Sequence, residues 1–158
     1  MKKLIFLLLF TGTMVLSGQG QVNPHAFGLR LGGGSYNGGE LSYQQGIGQA
    51  NRFELDLGAG SSKNHHRFYV AGIYQWNWNI TSGLNWYIGP GASVGIYSYN
   101  DDPGYLNIAV GGQIGLEYDF SKSGVPILLS LDARPMWDFL GDNPGMGWGA
   151  ALGIRYVW

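Results

Sequence analysis

The chain has 158 residues, enough for one domain, and its lack of cysteine excludes disulfides, thiolate metal sites and a cysteine-linked lipid anchor. Charged residues make up 12% of the chain, about half the share usual in soluble domains, whereas aromatic residues reach 15% and glycine numbers 28. Without Lys2 and Lys3, which belong to a predicted N-terminal signal peptide, the chain has seven basic and ten acidic side chains. This balance lacks the excess of basic residues that nucleic-acid-binding proteins carry.

The N-terminus predicts a secretory signal peptide over residues 1–20. The first three residues form a short basic start, residues 4–10 are an unbroken apolar run, and small and polar residues follow. This run is shorter than the ~20 residues that a membrane-spanning helix needs, which argues against the alternative of an N-terminal anchor. We therefore expect cleavage after Gly20 and one mature domain over residues 21–158.

Beyond the leader, polar and apolar residues alternate with period two, and clusters of Gly, Asn, Asp, Ser or Pro interrupt them at regular intervals. No helical periodicity is visible. In chain order the predicted strands cover residues 25–33, 38–46, 51–59, 67–80, 84–98, 105–120, 126–139 and 147–158. The predicted breaks cover residues 34–37, 46–50, 60–66, 81–83, 99–104, 121–125 and 141–146. Short breaks make consecutive strands antiparallel neighbours, which favours an up-and-down topology.

The two faces of each strand differ in a way that indicates a membrane. In the third predicted strand Phe53, Leu55 and Leu57 alternate with charged residues. The other predicted strands also have their large apolar side chains on one face. A soluble sheet also alternates, but its wet face is normally rich in lysine, and here the lysines after the leader, Lys63 and Lys122, both fall in predicted breaks. The polar face instead combines Gly, Ser, Asn and Gln with a few charges, which suits the crowded lumen of an eight-stranded barrel.

Aromatic residues recur at two depths. Pairs such as Phe68 and Trp78, or Trp148 and Trp158, lie on one strand face ten residues apart, which is about 33 Å along a strand and about 25 Å of membrane normal when tilted. We predict two aromatic girdles. One comprises Tyr74, Trp76, Trp78, Trp86, Tyr118, Phe120, Tyr156 and Trp158, and the other Phe68, Trp137, Phe139 and Trp148 with Tyr97, Tyr99 and Tyr105 nearby.

These features together resemble the small eight-stranded outer-membrane β-barrel proteins of Gram-negative-type bacteria. The C-terminal run Leu152, Ile154, Tyr156, Val157, Trp158 looks like the terminal signal that such proteins present to the barrel-assembly machinery. The resemblance implies an all-β, eight-stranded antiparallel up-and-down transmembrane barrel in the outer membrane. It also implies lipid and assembly-machinery partners, a monomer, no nucleic acid and no cofactor. With both termini in the periplasm, the breaks at 34–37, 60–66, 99–104 and 141–146 face outward. Family members include structural proteins, adhesins, lipid-modifying enzymes and narrow pores, so activity is not implied.

Strand parity predicts a set of charged side chains inside the barrel. Arg30 and Glu40 lie equally far from the first hairpin tip, so we expect them to be cross-strand neighbours. The set could form an ion path, but we favour a structural network that plugs the lumen, because eight strands leave little open bore and each buried arginine needs a carboxylate. The predicted set is Arg30, Glu40, Arg52, Glu54, Asp56, Glu117, Asp132, Arg134 and Arg155.

A second group lies in the predicted outward breaks: His65, His66 and Asp102, with serines close by. A histidine, an acid and a serine at the outer rim could support acyl transfer or deacylation of a lipid, although such residues are also ordinary solvated surface. We assign no catalytic residue and no metal site, since adjacent histidines rarely face one ion. The preferred function is a structural or surface-interaction role without catalysis, with a lipid-modifying enzyme or a narrow pore as the alternatives.

Overall fold

The computed structural model describes residues 22–34, 37–62, 65–99, 104–140 and 144–158, so the predicted signal peptide lies outside the described residues. Eight antiparallel strands, each paired with its neighbours in chain order, form a barrel that closes between the last strand and the first. The strands are β1 (His25–Gly34), β2 (Asn37–Ile47), β3 (Asn51–Ser62), β4 (His65–Thr81), β5 (Leu84–Tyr99), β6 (Tyr105–Asp119), β7 (Ile127–Asp138) and β8 (Gly145–Val157).

The eight-stranded up-and-down barrel predicted from the sequence is confirmed, while several predicted strand ends are wrong. The break expected over residues 60–66 is mostly strand, because β3 runs to Ser62 and pairs there with His65 of β4. Gly145 and Met146, also expected in a break, begin β8. Backbone pairing with the adjacent strand overrode the turn preference of these small and polar residues. Phe120 to Ser123, expected as strand end and turn, form a short 3₁₀ turn. No helix among the described residues is long and apolar enough to cross a membrane.

The barrel has two distinct ends, which we call the base and the rim. The base is the end at which β1 begins and β8 ends, and the rim is the opposite end, where β1 leads into β2. The strands are staggered around the barrel. The Gly46 amide donates to the Pro24 carbonyl, just before β1. Following the paired residues from Gly46 through each strand in turn leads back to Gly34, which lies ten residues beyond Pro24. This stagger tilts the strands by roughly 40°.

The surface of this barrel is apolar and its interior is polar. Among the described residues, 33 large apolar or aromatic side chains are exposed, including Leu131, Leu152 and Trp148, whereas the buried hydrophobic ones number ten. Buried polar and charged side chains number 17. A water-soluble domain has the opposite distribution, so the outer surface of the strands is built to contact lipid.

Two glycines explain how bulky side chains fit inside so narrow a barrel. A Cβ atom placed on Gly58 would lie 2.3 Å from the ring of Tyr69, and one on Gly115 would lie 2.5 Å from the ring of Tyr87. Both tyrosines point into the lumen and both are buried. The glycines therefore supply the space that inward-facing aromatic rings need.

Candidate functional site

The structure places all nine charged residues of the predicted lumen set inside the barrel. Eight of them have side chains that are at most 8% exposed, and the ninth, Glu40, is 13% exposed. They come from β1, β2, β3, β6, β7 and β8, so the strands around the barrel bring together side chains that are distant in the chain. Their arrangement determines what the lumen can do.

The rim side of the network begins with Arg30. Its guanidinium pairs with Glu40, its cross-strand partner in β2, which is the neighbour relation that the sequence predicts. It also pairs with Asp132 from β7, which is separated from β1 by β8 alone, and Asp56 lies 3.8 Å away. Tyr69 donates to the other oxygen of Glu40. Each charge therefore meets several opposite charges or donors, as a buried ion requires.

Arg134 is the hub of the network. Its Nη2 atom donates to Glu54 at 3.0 Å and also to Asp56, while its Nη1 atom lies 3.2 Å from Glu40. The Oε1 atom of Gln113 lies 3.4 Å from the same Nη2. One guanidinium thus joins three carboxylates from β2 and β3 to β7, across the lumen. Such cross-lumen bonds hold opposite walls together as well as neutralising charge.

Towards the base, two further ion pairs fill the lumen. Arg155 donates to Glu54 at 3.0 Å and to the hydroxyls of Ser42 and Ser130 at 3.0 and 2.8 Å. Arg52 pairs with Glu117 at 2.6 Å. Glu54 links Arg155 to Arg134. Gln75 and Gln113 link Arg52 to Arg134, so these side chains form one hydrogen-bonded network across the lumen.

The network also has neutral members, which the predicted set of charged residues does not include. Gln75 and Gln113 are buried and bonded to one another at 3.0 Å, and the amide of Asn77 donates to Glu117 at 2.7 Å. The hydroxyl of Tyr87 donates to Asp132 at 3.1 Å. Strand parity, which identified the charged residues, also places these side chains on the inner face, but it cannot show which of them bond to one another.

The base of the lumen is closed by different means. Ala26, Leu128 and Val157 are buried together as a small apolar cluster on β1, β7 and β8. Two residues before β1, the side chain of Asn23 reaches β6 and donates to Asp119 at 3.0 Å. The segment that precedes β1 therefore lies against the base opening and helps to seal it.

The predicted girdle residues lie mostly on the lipid-facing surface. Trp76, Tyr118, Tyr156 and Trp158 near the base, and Phe68, Trp137 and Trp148 near the rim, are 38–61% exposed. Trp78 and Trp86 are cross-strand partners that stack on each other with ring centroids 4.5 Å apart, which shields both in part. Tyr97, expected near the rim girdle, instead points into the lumen and is buried.

Two of the three residues predicted at the outer rim have a described backbone. His65 and His66 are strand residues at the start of β4 rather than loop residues, and His66 is exposed on the same outer face as Phe68. Asp102 lies outside the described residues. Within the described ranges, no group of three or more His, Cys, Asp or Glu side chains is placed to hold a metal ion.

No protein-family model and no curated protein matches the chain. Solved structures do match. Neisserial surface protein A (NspA) is 14% identical with a TM-score of 0.63, covering 85% of this chain and 95% of its own. The N-terminal β-barrel domain of Pseudomonas aeruginosa OprF is 14% identical with a TM-score of 0.59, covering 85% and 98%. Ail, the attachment invasion locus protein of Yersinia pestis, is 11% identical with a TM-score of 0.50, covering 87% and 99%.

The fold is that of the small eight-stranded outer-membrane barrels. The outer membrane, predicted from the sequence, is the location that this fold and its apolar outer surface support, and lipid is the environment of its strands. At these identities the likeness concerns the fold, so the activity has to be argued from the lumen and the rim.

Proposed function

We propose that this protein is a closed outer-membrane barrel with a structural or surface-interaction role and without catalysis. The observation that carries the proposal is the lumen: Arg134 and Arg155 join opposite walls through Glu54, and side chains fill the section around them. A barrel filled in this way is suited to being a rigid membrane body rather than a conduit. Two structural neighbours, a surface protein and an attachment invasion locus protein, have names that agree with a role at the cell surface.

The rim offers a small surface to a partner. Two residues separate β1 from β2 and two separate β3 from β4, while the other rim connections are five and six residues long. Connections this short leave little area for an elaborate adhesin, since a specific protein interface needs about 800 Å² on each partner. We therefore favour contacts with envelope components over the capture of a large partner.

We further propose that residues 1–20 direct export, that the barrel-assembly machinery inserts the chain, and that the barrel is a monomer. The absence of cysteine makes the orientation simple to test, because any introduced cysteine is unique. Ser61→Cys, exposed at the rim, should react with a membrane-impermeant maleimide in intact cells. Ser82→Cys, exposed at the base, is the matched control and should react only after lysis. Labelling of the base variant alone in intact cells would overturn the proposed orientation.

The two alternative functions, a lipid-modifying enzyme and a narrow pore, can each be tested by a separate measurement. A lipid-modifying enzyme would change lipid A or phospholipid acyl chains when the protein is produced, with loss of the change in His66→Ala. We expect mass spectra of the lipids to be the same with and without the protein. A pore would give steady unitary conductance in planar bilayers that Arg134→Ala alters, and we expect the wild-type barrel to give none. A positive result in either assay would replace the proposed function.

A further inference from the structure

The ion pairs of the lumen do not balance in charge. Arg52 and Glu117 pair with each other, so this pair is neutral. The remaining pairs among the described residues join three arginines to four acids in one connected cluster: Arg30, Arg134 and Arg155 with Glu40, Glu54, Asp56 and Asp132. If every acid were ionised, this cluster would hold one uncompensated negative charge. Such a charge is costly in the interior of a protein, and a buried group becomes neutral instead.

The hydrogen bonds show which acid carries the excess. Both oxygens of Glu40, Glu54 and Asp132 accept from arginine or tyrosine donors. Asp56 differs, because its Oδ2 atom accepts from Arg134 while its Oδ1 atom has no partner among the described residues. The accessible surface of this Oδ1 atom is below 1 Å², so water does not reach it either. An ionised oxygen without any donor is very costly, and Asp56 is therefore the acid that most needs to be neutral.

The side chains around Asp56 do not remove this excess. Its charged or titratable neighbours are Arg30 of β1, Glu40 of β2, Glu54 of β3, Tyr69 of β4 and Arg134 of β7. The two glutamates repel a negative charge, and the tyrosine donates its hydroxyl to Glu40 instead. The two arginines attract a negative charge, but each of them also serves two other carboxylates. The residues paired with Asp56 on the adjacent strands are a serine and an alanine, which carry no charge.

We propose that Asp56 holds a proton on its Oδ1 atom at neutral pH, which makes the cluster electrically neutral. The Oδ2 atom of the neutral carboxyl group remains an acceptor for Arg134. Release of the proton at higher pH leaves an excess charge in the lumen, so the folded barrel becomes less stable. A metal cation fits less well, because within the described ranges no group of three or more His, Cys, Asp or Glu side chains is placed to hold one.

A cavity connects the layer beside Asp56 with the rim. About 80 Å³ of open space remains in the rim half of the lumen, and Arg30, Glu40 and Arg134 are among the residues that line it. A buried water needs about 10–15 Å³, so this cavity has room for several water molecules. The opposite end of the lumen contains the apolar cluster of the base, which offers no group that could carry a proton. We therefore expect the proton to exchange with the medium on the rim side.

Infrared spectroscopy of the folded barrel in detergent tests the proton directly. A protonated carboxyl group has a carbonyl stretch that is separate from the carboxylate bands and that shifts in heavy water. We expect this band at neutral pH in the wild type and in Asp119→Asn, but not in Asp56→Asn. Asp119 is the matched control, because it is also a buried acid but lies at the base and accepts from Asn23 and the Ser121 amide, outside the cluster.

The infrared result can contradict the proposal in two ways. Absence of the band from the wild type at neutral pH would overturn it, and so would survival of the band in Asp56→Asn. If Asp56→Asn does not fold, labelling of aspartate alone with carbon-13 should shift the band of the wild type. A band that this label leaves unshifted belongs to a glutamate and would equally refute the assignment.

The pH dependence of unfolding provides an independent measurement. An aspartate in the unfolded chain releases its proton at about pH 4, whereas the folded barrel keeps the proposed proton up to neutral pH. Raising the pH therefore favours unfolding of the wild type, and Asp56→Asn, which has no proton to lose at this position, lacks the effect. Between about pH 5 and pH 7, the unfolding constant of the wild type divided by that of Asp56→Asn should rise by up to about tenfold per pH unit. A ratio that is constant or falls would overturn the proposal, as would stabilisation of the wild type by sodium without a carboxyl band.

Discussion

Replacing Glu54 by glutamine tests whether the ion-pair network holds the barrel together. Glu54 has no exposed surface and accepts from Arg134, Arg155 and the amide of Gln44. Arg134 keeps Glu40 and Asp56 after the change. For Arg155, Glu54 is the carboxylate partner found among the described residues, so its guanidinium would be left with two serine hydroxyls.

The expected cost follows from this difference between the two arginines. Breaking a buried pair by removing one partner costs about 3–5 kcal/mol, because the remaining charge stays buried without compensation. Glutamine keeps one acceptor oxygen, which offsets part of this loss, so we expect Glu54→Gln to lower the free energy of unfolding by about 3 kcal/mol. Urea titration in detergent micelles, followed by tryptophan fluorescence and by gel mobility, measures it.

Two further variants distinguish this explanation from a general loss of packing. Asp138→Asn changes an acid that is only partly buried and bonded to Asn107 at 2.8 Å, so it should cost less than about 1 kcal/mol. Combining Glu54→Gln with Arg155→Met removes both charges, so the double variant should be less destabilised than the sum of the single changes. A cost below about 1 kcal/mol for Glu54→Gln, or strict additivity in the double variant, would refute the role assigned to the network.

Three further predictions concern the wall of the barrel. A Cβ atom on Gly89 would lie 1.6 Å from the carbonyl oxygen of Tyr74, so Gly89→Ala should abolish the folded, heat-modifiable band on gels, whereas Gly145→Ala, with nothing within 4 Å, should keep it. Leu131 is 54% exposed on the outer face, and Leu131→Arg should cost about 2–4 kcal/mol in lipid vesicles, as seen by urea titration; a neutral result would show that this face does not meet acyl chains. Tyr87→Phe removes the bond to Asp132 and should cost about 1–2 kcal/mol in the same titration, and no loss would mean that this bond is not needed.

The strand number and the orientation of the faces could be predicted from the sequence because they depend on local patterns. Alternation with period two places Phe53 outside and Glu54 inside whatever the rest of the chain does. The same alternation places Tyr97 inside, where the structure buries it, although it was expected near the rim girdle. The prediction of a break at residues 60–66 was wrong for most of these residues, because composition indicates a preference for turns but cannot show that two strands pair.

The eight strands, the apolar outside and the charged lumen all follow from the amino-acid sequence, because side-chain direction along a strand is a property of the strand alone. It also paired Arg30 with Glu40, since neighbours across a short hairpin follow from its tip. The bonds from Arg134 to Glu40, Glu54 and Asp56, and the cavity on their rim side, are visible only in the folded barrel. Contacts across the lumen depend on the stagger and tilt of all eight strands at once, and the space left over depends on the side chains of every wall.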